Sequence, residues 1–176
     1  MKKFKLLLLD ANVVIEISRH GIWGQITSQC EIHLACTVID ESQFYEDDKG
    51  NRHYLDLTPQ INSKTITVFD LTTSQIDGFR NKFDPIYFEK LDTGETESLA
   101  YLLDKSDECQ ICSADKIVYR ILGNLQRSEQ GVSLEEVLAQ IGLGRKLSRE
   151  FTREYREEWT KKGFQEKLCG MGLRGP

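Results

Sequence analysis

The sequence predicts an α/β fold built on a central, mainly parallel sheet, with a helical C-terminal extension, and three observations carry that prediction. Short apolar or β-branched runs alternate with amphipathic segments four times between Phe4 and Leu122. The first run, Phe4 to Leu9, is apolar and bounded by charge, as in a strand covered on both faces, and such strands are normally parallel. Three of the runs end in carboxylates, at Asp10, at Asp40-Glu41 and at Asp115. A chain of 176 residues, 39% hydrophobic and 29% charged with formal charge −5, fits one globular domain plus a small appendage. Fibrous, collagenous and disordered classes are excluded.

Taken in order, Asp10 lies at the end of the first strand and Asn12 suits the cap of a helix bearing Val13, Val14 and Ile17, with a break near Gly21. Ile32 to Cys36 reads as a second buried strand, followed by a short helix through Val38, Ile39, Phe44 and Tyr45 whose first turns hold Asp40 and Glu41. The turn cluster Asp47-Asp48-Lys49-Gly50-Asn51 indicates a small hairpin inserted at about 44–58. Lys64 to Phe69 is a third strand, followed by a helix near Thr73 to Phe83. Thr93 to Glu97 opens a helix with acids in its first turn, where the macrodipole favours them. Gln110 to Ser113 is a strand, and Ala114-Asp115 leads into a helix through Leu122.

Beyond residue 125 the pattern becomes helical. Ser133 with Glu136 forms a capping box, and Leu147 to Lys162 reads as one charged helix. Residues 143–176 carry charge +4 and the remainder −9. The divisions expected are therefore 1–125 for the α/β domain and 126–176 for a basic helical extension, frayed from Met171 to Pro176. No apolar run approaches the roughly 20 residues of a bilayer span, and the basic Met1-Lys2-Lys3 start lacks a long apolar region behind it. With five cysteines, an odd number, a reducing cytoplasmic setting is expected, without membrane attachment.

The acids carry the chemistry. In an open parallel sheet, strand C-terminal ends and helix N-termini share one edge, so Asp10, Asp40-Glu41, Asp115 and the helix-opening pair Glu95 and Glu97 are placed to converge. Gathered carboxylates protonate unless a cation compensates them, and oxygen-only ligands select Mg²⁺ or Mn²⁺. Such an ion activates water and neutralises charge on a phosphoryl oxygen, which points to phosphodiester hydrolysis. Each acid also has a purely structural use: Asp10, Asn12 and Asp115 as caps, Glu95 and Glu97 as first-turn acids worth roughly 0.3–1 kcal/mol, Asp40, Glu41 and Asp92 as solvated charges. Cys109 and Cys112 form a Cys-x-x-Cys on a strand, where residues three apart face opposite ways, so structural thiols are expected. No histidine accompanies a nucleophile elbow, and no Gly-rich nucleotide loop follows the first strand.

Leu-Leu-Leu-Asp10-Ala-Asn12, Glu41, Leu91-Asp92-Thr-Gly94-Glu95-Thr-Glu97-Ser-Leu-Ala100 and Ile111-Cys-Ser-Ala-Asp115-Lys occur in the order and approximate spacing of the PIN domain, which the chain resembles over about residues 3–125. It is similar in particular to PIN proteins with Gly-Glu-x-Glu before a helix. The resemblance implies a three-layer αβα fold and a Mg²⁺- or Mn²⁺-dependent endoribonuclease acting on single-stranded RNA and leaving a 5′-phosphate. It implies metal ligation by Asp10, Glu41, one or both of Glu95 and Glu97, and Asp115, with Asn12 orienting Asp10 or a water; Asp40 stands as the alternative to Glu41, and Asp92 as the alternative to the third acid. An antitoxin partner and a homodimer are implied as well. The hairpin and the C-terminal helices lie outside the family's minimal pattern.

Arg145, Arg149, Arg153 and Arg156 recur at four, four and three, beside an aromatic stripe of Phe151, Tyr155 and Trp159. They read either as an RNA-backbone contact or as a packed helix whose arginines pair with Glu150, Glu154, Glu157 and Glu158. The competing functional classes are a catalytically inactive PIN-like module that binds nucleic acid or protein, and a phosphotransfer domain. The latter fits poorly because Asp10-Ala-Asn12 replaces the Asp-x-Asp of haloacid dehalogenases.

Overall fold

The computed structural model describes residues 4–47, 49–104 and 109–174. In chain order the first elements are β1 (Phe4–Leu9), α1 (Ala11–His20), α2 (Trp23–Gln29), β2 (Cys30–Ala35), α3 (Cys36–Glu41), β3 (Phe44–Glu46), β4 (Arg52–Tyr54) and α4 (Thr58–Asn62). They continue as β5 (Ile66–Phe69), α5 (Thr73–Arg80), α6 (Pro85–Phe88), α7 (Thr93–Asp104), β6 (Gln110–Cys112), α8 (Lys116–Asn124), β7 (Gly131–Val132), α9 (Leu134–Gln140) and α10 (Arg153–Leu168). Five strands form one sheet in the order β5-β2-β1-β6-β7, every neighbouring pair parallel. Helices cover both faces, because successive strand residues point opposite ways: Leu9 and Cys112 pack with α1, α2 and α9, while Leu8 and Ile111 pack with α5, α7 and α8. Cys109 and Cys112 accordingly belong to opposite faces, and both are buried.

The strand order fixes where a ligand can sit. The chain runs outward from β1 through β2 to β5, then crosses back to lay β6 and β7 on the other flank of β1. The direction of winding therefore reverses between β1 and β6, and a crevice opens beyond their C-terminal ends. Asp10 follows β1 and Asp115 follows β6.

Several expectations are corrected. Asp10, not Asn12, caps α1, because the Asp10 carboxylate accepts the Val13 N–H (2.8 Å). Gly21 ends that helix in the left-handed region (φ 64°). Asp40 and Glu41 lie in the last turn of α3 rather than its first, and Phe44 and Tyr45 have passed into β3, which pairs with β4 as the expected inserted hairpin. Asp48 of its turn, like Met1-Lys2-Lys3, lies outside the described residues.

A division at residue 125 does not fall at a break in the fold. The segment assigned to a separate extension over 126–176 supplies β7, and Val132, Leu134, Val137, Leu138 and Phe151 join the core around Leu9 and Val13. Leu147 to Lys162 is not one helix, because Ser148 and Thr152 each interrupt it; a 3₁₀ turn occupies Arg149–Phe151, and the Thr152 hydroxyl caps α10. Met171 to Arg174 is docked rather than frayed: the Asp84 N–H donates to the Gly172 carbonyl (2.9 Å), the Arg174 N–H to Lys82 (3.0 Å) and Asn124 Nδ2 to Met171 (2.8 Å). Gly175 and Pro176 lie outside the described residues. Among the described residues no helix is long and apolar enough to cross a membrane.

Candidate functional site

Asp10 and Asp115 are tied together by the backbone that separates β6 from α8. The Asp10 N–H still bonds the Cys112 carbonyl (3.2 Å), extending the β1·β6 ladder to the sheet's edge. Asp10 Oδ1 accepts from Val13, while Oδ2 accepts the Ala114 N–H (2.8 Å) and the Ser113 hydroxyl. The Ser113 oxygen accepts the Asp115 N–H (2.9 Å), and Asp115 caps α8 through the Ile117 N–H (2.9 Å). Behind them the buried Tyr119 hydroxyl donates to the Ser113 carbonyl (2.6 Å) and accepts its N–H (3.2 Å), fixing the turn. Burial pushes the Asp10 carboxyl above its ordinary value, against the Ser113, Val13 and Ala114 hydrogen bonds, and the Asp115 charge adds to the rise.

α7 brings Glu95 and Glu97, each 5% exposed, but only Glu95 is in its first turn; Glu97, expected there as well, stands just beyond it. Asp92 accepts the Glu95 N–H (2.7 Å) and its own N–H points back at Glu95 Oε2 (3.4 Å), the reciprocal arrangement of a capping box. Burial, then the charges of Asp115, Asp92 and Asp10, push the Glu95 carboxyl up to about 9. Glu97 Oε2 accepts the Thr37 hydroxyl (2.7 Å). Glu41, at the end of α3, leans on α7, where a Cβ at Gly94 would stand 2.9 Å from Glu41 Oε2; glycine admits it. Burial, then Asp92, raises the Glu41 carboxyl, the Gly94 N–H opposes, and Glu97 and Asp10 add to the rise.

Thus Asp10, Glu41, Glu95, Glu97 and Asp115 share one edge with Asp92, and no Lys or Arg among the described residues forms an ion pair with any of them. Asp40 lines a different depression with Leu55 and Thr58. Asn12 is exposed on α1 beside Asp10. The donor chemistry, oxygen only and in charge excess, suits a hard dication. The side chains as they lie do not yet form its coordination shell: among the described residues no three Asp, Glu, His or Cys groups stand close enough to share one ion. Asp10 illustrates the reason, since both of its oxygens already accept hydrogen bonds.

The four arginines are not brought to this edge as one basic stripe, because the break at Thr152 places Arg145 and Arg149 outside α10. Arg149 pairs with Glu158 (2.7 Å), Arg153 with Glu157 (2.6 Å), and Arg156, 13% exposed, grips Glu136 with two bonds (2.8 and 2.9 Å). Arg145 is exposed and approaches His20 Nδ1 at 3.4 Å. Ser113, Tyr119 and Thr37 are the participants that sequence reasoning did not find; a hydroxyl beyond a strand end has no periodicity to reveal it.

Compared with family models, with curated proteins and with solved structures, the chain matches none. What the geometry defines is an α/β protein with a five-stranded parallel sheet, helices on both faces and carboxylates at its topological switch.

The raised Glu95 has a consequence for stability. An unfolded glutamate releases its proton near 4.5 whereas the folded one holds it to about 9. Between these values the native chain binds the extra proton, so stability is fully present at low pH and is lost as pH rises through the window. The slope is at most about 1.4 kcal/mol per pH unit. Melting temperatures in chelator should fall from about pH 6 to about pH 8, and Glu95→Gln should flatten that fall. A rising or unaltered profile in the variant would contradict the placement of Glu95.

Proposed function

We propose that the protein is a PIN-like, Mg²⁺- or Mn²⁺-dependent nuclease that hydrolyses single-stranded RNA, with Asp10, Glu41, Glu95, Glu97 and Asp115 as metal ligands and Asn12 as a positioning group. One observation supports the reading: carboxylates from four separate segments lie along the edge beyond β1 and β6, near enough to repel one another, and among the described residues none of them is ion-paired to a Lys or Arg. An excess of buried negative charge is costly unless a cation binds it. The ion would polarise a phosphoryl oxygen and lower the pKa of a water molecule. The chain's own contribution is positional: Ser113 and Ala114 hold Asp10, Thr37 holds Glu97, and the Asp92–Glu95 pair sets the first turn of α7. A cytoplasmic toxin role, with an antitoxin partner and a homodimer, belongs to the same reading.

Calorimetric titration of Mn²⁺ into metal-free protein tests it directly. Stoichiometric binding accompanied by proton release is expected, because Glu95 must deprotonate to ligate. Absence of a stoichiometric site would refute the nuclease. It would favour the second reading, a binding module without catalysis.

A further inference from the structure

We infer that Arg19, at the wall of a cleft beside the acidic edge, holds a phosphate of a bound single-stranded nucleic acid. The inference rests on the nuclease reading and deepens it. The cleft, about 290 Å³, lies between α1 and the turn that precedes α10, lined by Asn12, Glu16 and Arg19 on one side and Ala114, Ser148 and Glu150 on the other. It opens onto the site itself, since Asn12 follows Asp10 by two residues and the Ala114 N–H is bonded to the Asp10 carboxylate.

Arg19 is the cation prepared for this role. Its Nη1 donates to Glu16 Oε2 (3.0 Å), and its guanidinium lies 5.3 Å from the centre of the Tyr45 ring on the inserted hairpin. Glu16, 7% exposed, is itself fixed by His20 (3.1 Å). The fork is therefore held from two sides while its side chain remains 48% exposed. A guanidinium has five N–H donors, and the bond to Glu16 leaves most of them for a phosphate. Pre-ordering lowers the entropy lost on binding.

Arg156, Arg149 and Arg153 are ion-paired, as Arg19 is, to Glu136, Glu158 and Glu157, but unlike Arg19 none of them lines the cleft. Glu150 repels a phosphate from the opposite wall, and Glu16, bonded to Nη1, confines it to the edge of the guanidinium turned away from Glu16. Arg19 stands seven residues along α1 from Asn12, about 10 Å at helical rise, so the phosphate it holds flanks the scissile one.

The test is binding of a short fluorescein-labelled single-stranded RNA to metal-free protein, measured by anisotropy across a salt series. Loss of one phosphate contact should flatten the plot of log affinity against log salt by ~0.7 in Arg19→Ala and weaken binding uniformly across sequences. Arg19→Lys should restore the slope with incomplete affinity, since the charge returns without the fork. Lys64→Ala, at the opposite end of the sheet, should keep the wild-type slope. Thermal melts verify that each variant is folded. Wild-type binding with an unchanged slope in Arg19→Ala overturns this inference alone. Failure of the wild type to bind RNA overturns it together with the nuclease reading, whereas intact Mn²⁺ binding beside a neutral Arg19→Ala leaves that reading standing.

Discussion

Gly163→Ala is expected to lower the melting temperature by about 6–12 °C, the equivalent of about 3 kcal/mol in a chain of this length. α8 and α10 cross with almost no space between their backbones. A Cβ at Gly163 would stand 1.8 Å from the Arg120 carbonyl oxygen and 2.6 Å from its carbon. The reciprocal Cβ at Gly123 would stand 1.9 Å from the Thr160 oxygen. These neighbours are main chain, which cannot rotate away, so the helices must separate. Separation strains the clasp in which Arg120 and Tyr87 both bond the Glu166 carboxylate. Alanine's better helix propensity returns only about 1 kcal/mol. Gly24→Ala and Gly78→Ala provide the comparison, because both glycines are helical and a Cβ there meets nothing within 4 Å. Those variants should be neutral or slightly stabilised. Gly123→Ala combined with Gly163→Ala should cost less than the two separately, since one separation relieves both clashes. Unchanged melting of Gly163→Ala would mean that the crossing is looser than described.

The parts of this fold that were legible in the sequence are those whose signal is local. Phe4 to Leu9 reads as a central strand because Leu6 to Leu9 is apolar on both faces, and β1 does lie in the middle of the sheet. Ser133 and Glu136 read as a capping box because both hydrogen bonds join residues three apart. β7 was not legible: two residues have no period, and only the pairing of Gly131 and Val132 with Ile111 and Cys112 makes them a strand. The periodicity from Leu147 onward also ran through a real break, because arginine and glutamate spacing carries over unchanged while the Thr152 hydroxyl restarts the helix. A boundary at residue 125, drawn where the β/α alternation stops, therefore divides β7 from the rest of its sheet.

At the candidate site the acids could be read as strand-end and helix-start residues, but their partners could not. Asp92 illustrates the limit, since Asp92-Thr-Gly-Glu95 has the spacing of a cap and its third residue, yet the same residue also bears on Glu41 across a gap of fifty positions. Whether the arginines are free is likewise a three-dimensional matter: Arg156 is held more closely by Glu136, on another helix, than by Glu157 along its own.

On the proposed nuclease reading, Asp10→Asn should lower cleavage by on the order of 10²–10³-fold while leaving a folded protein. The swap conserves shape and removes charge at the carboxylate that joins β1, α1 and the turn after β6. An asparagine can accept from only one of the two backbone donors, Val13 N–H or Ala114 N–H, so its amide nitrogen confronts the other. That mismatch costs roughly 1–3 kcal/mol. Working against it, the variant removes a charge whose burial raises the native carboxyl's pKa, and it relieves the repulsion that Asp10 exerts on Glu95 and Glu41. The two effects oppose, so stability should change little even as Mn²⁺ affinity falls. Asp10→Ala separates the roles, because it also removes the cap of α1 and should destabilise by about 0.5–2 kcal/mol beyond the loss of charge. If Asp10→Asn cleaves single-stranded RNA as fast as the wild type with Mn²⁺ present, the carboxylate edge is a folding device and the chemistry lies elsewhere. If cleavage is lost while the melting temperature holds, the charge at this residue serves catalysis rather than the fold.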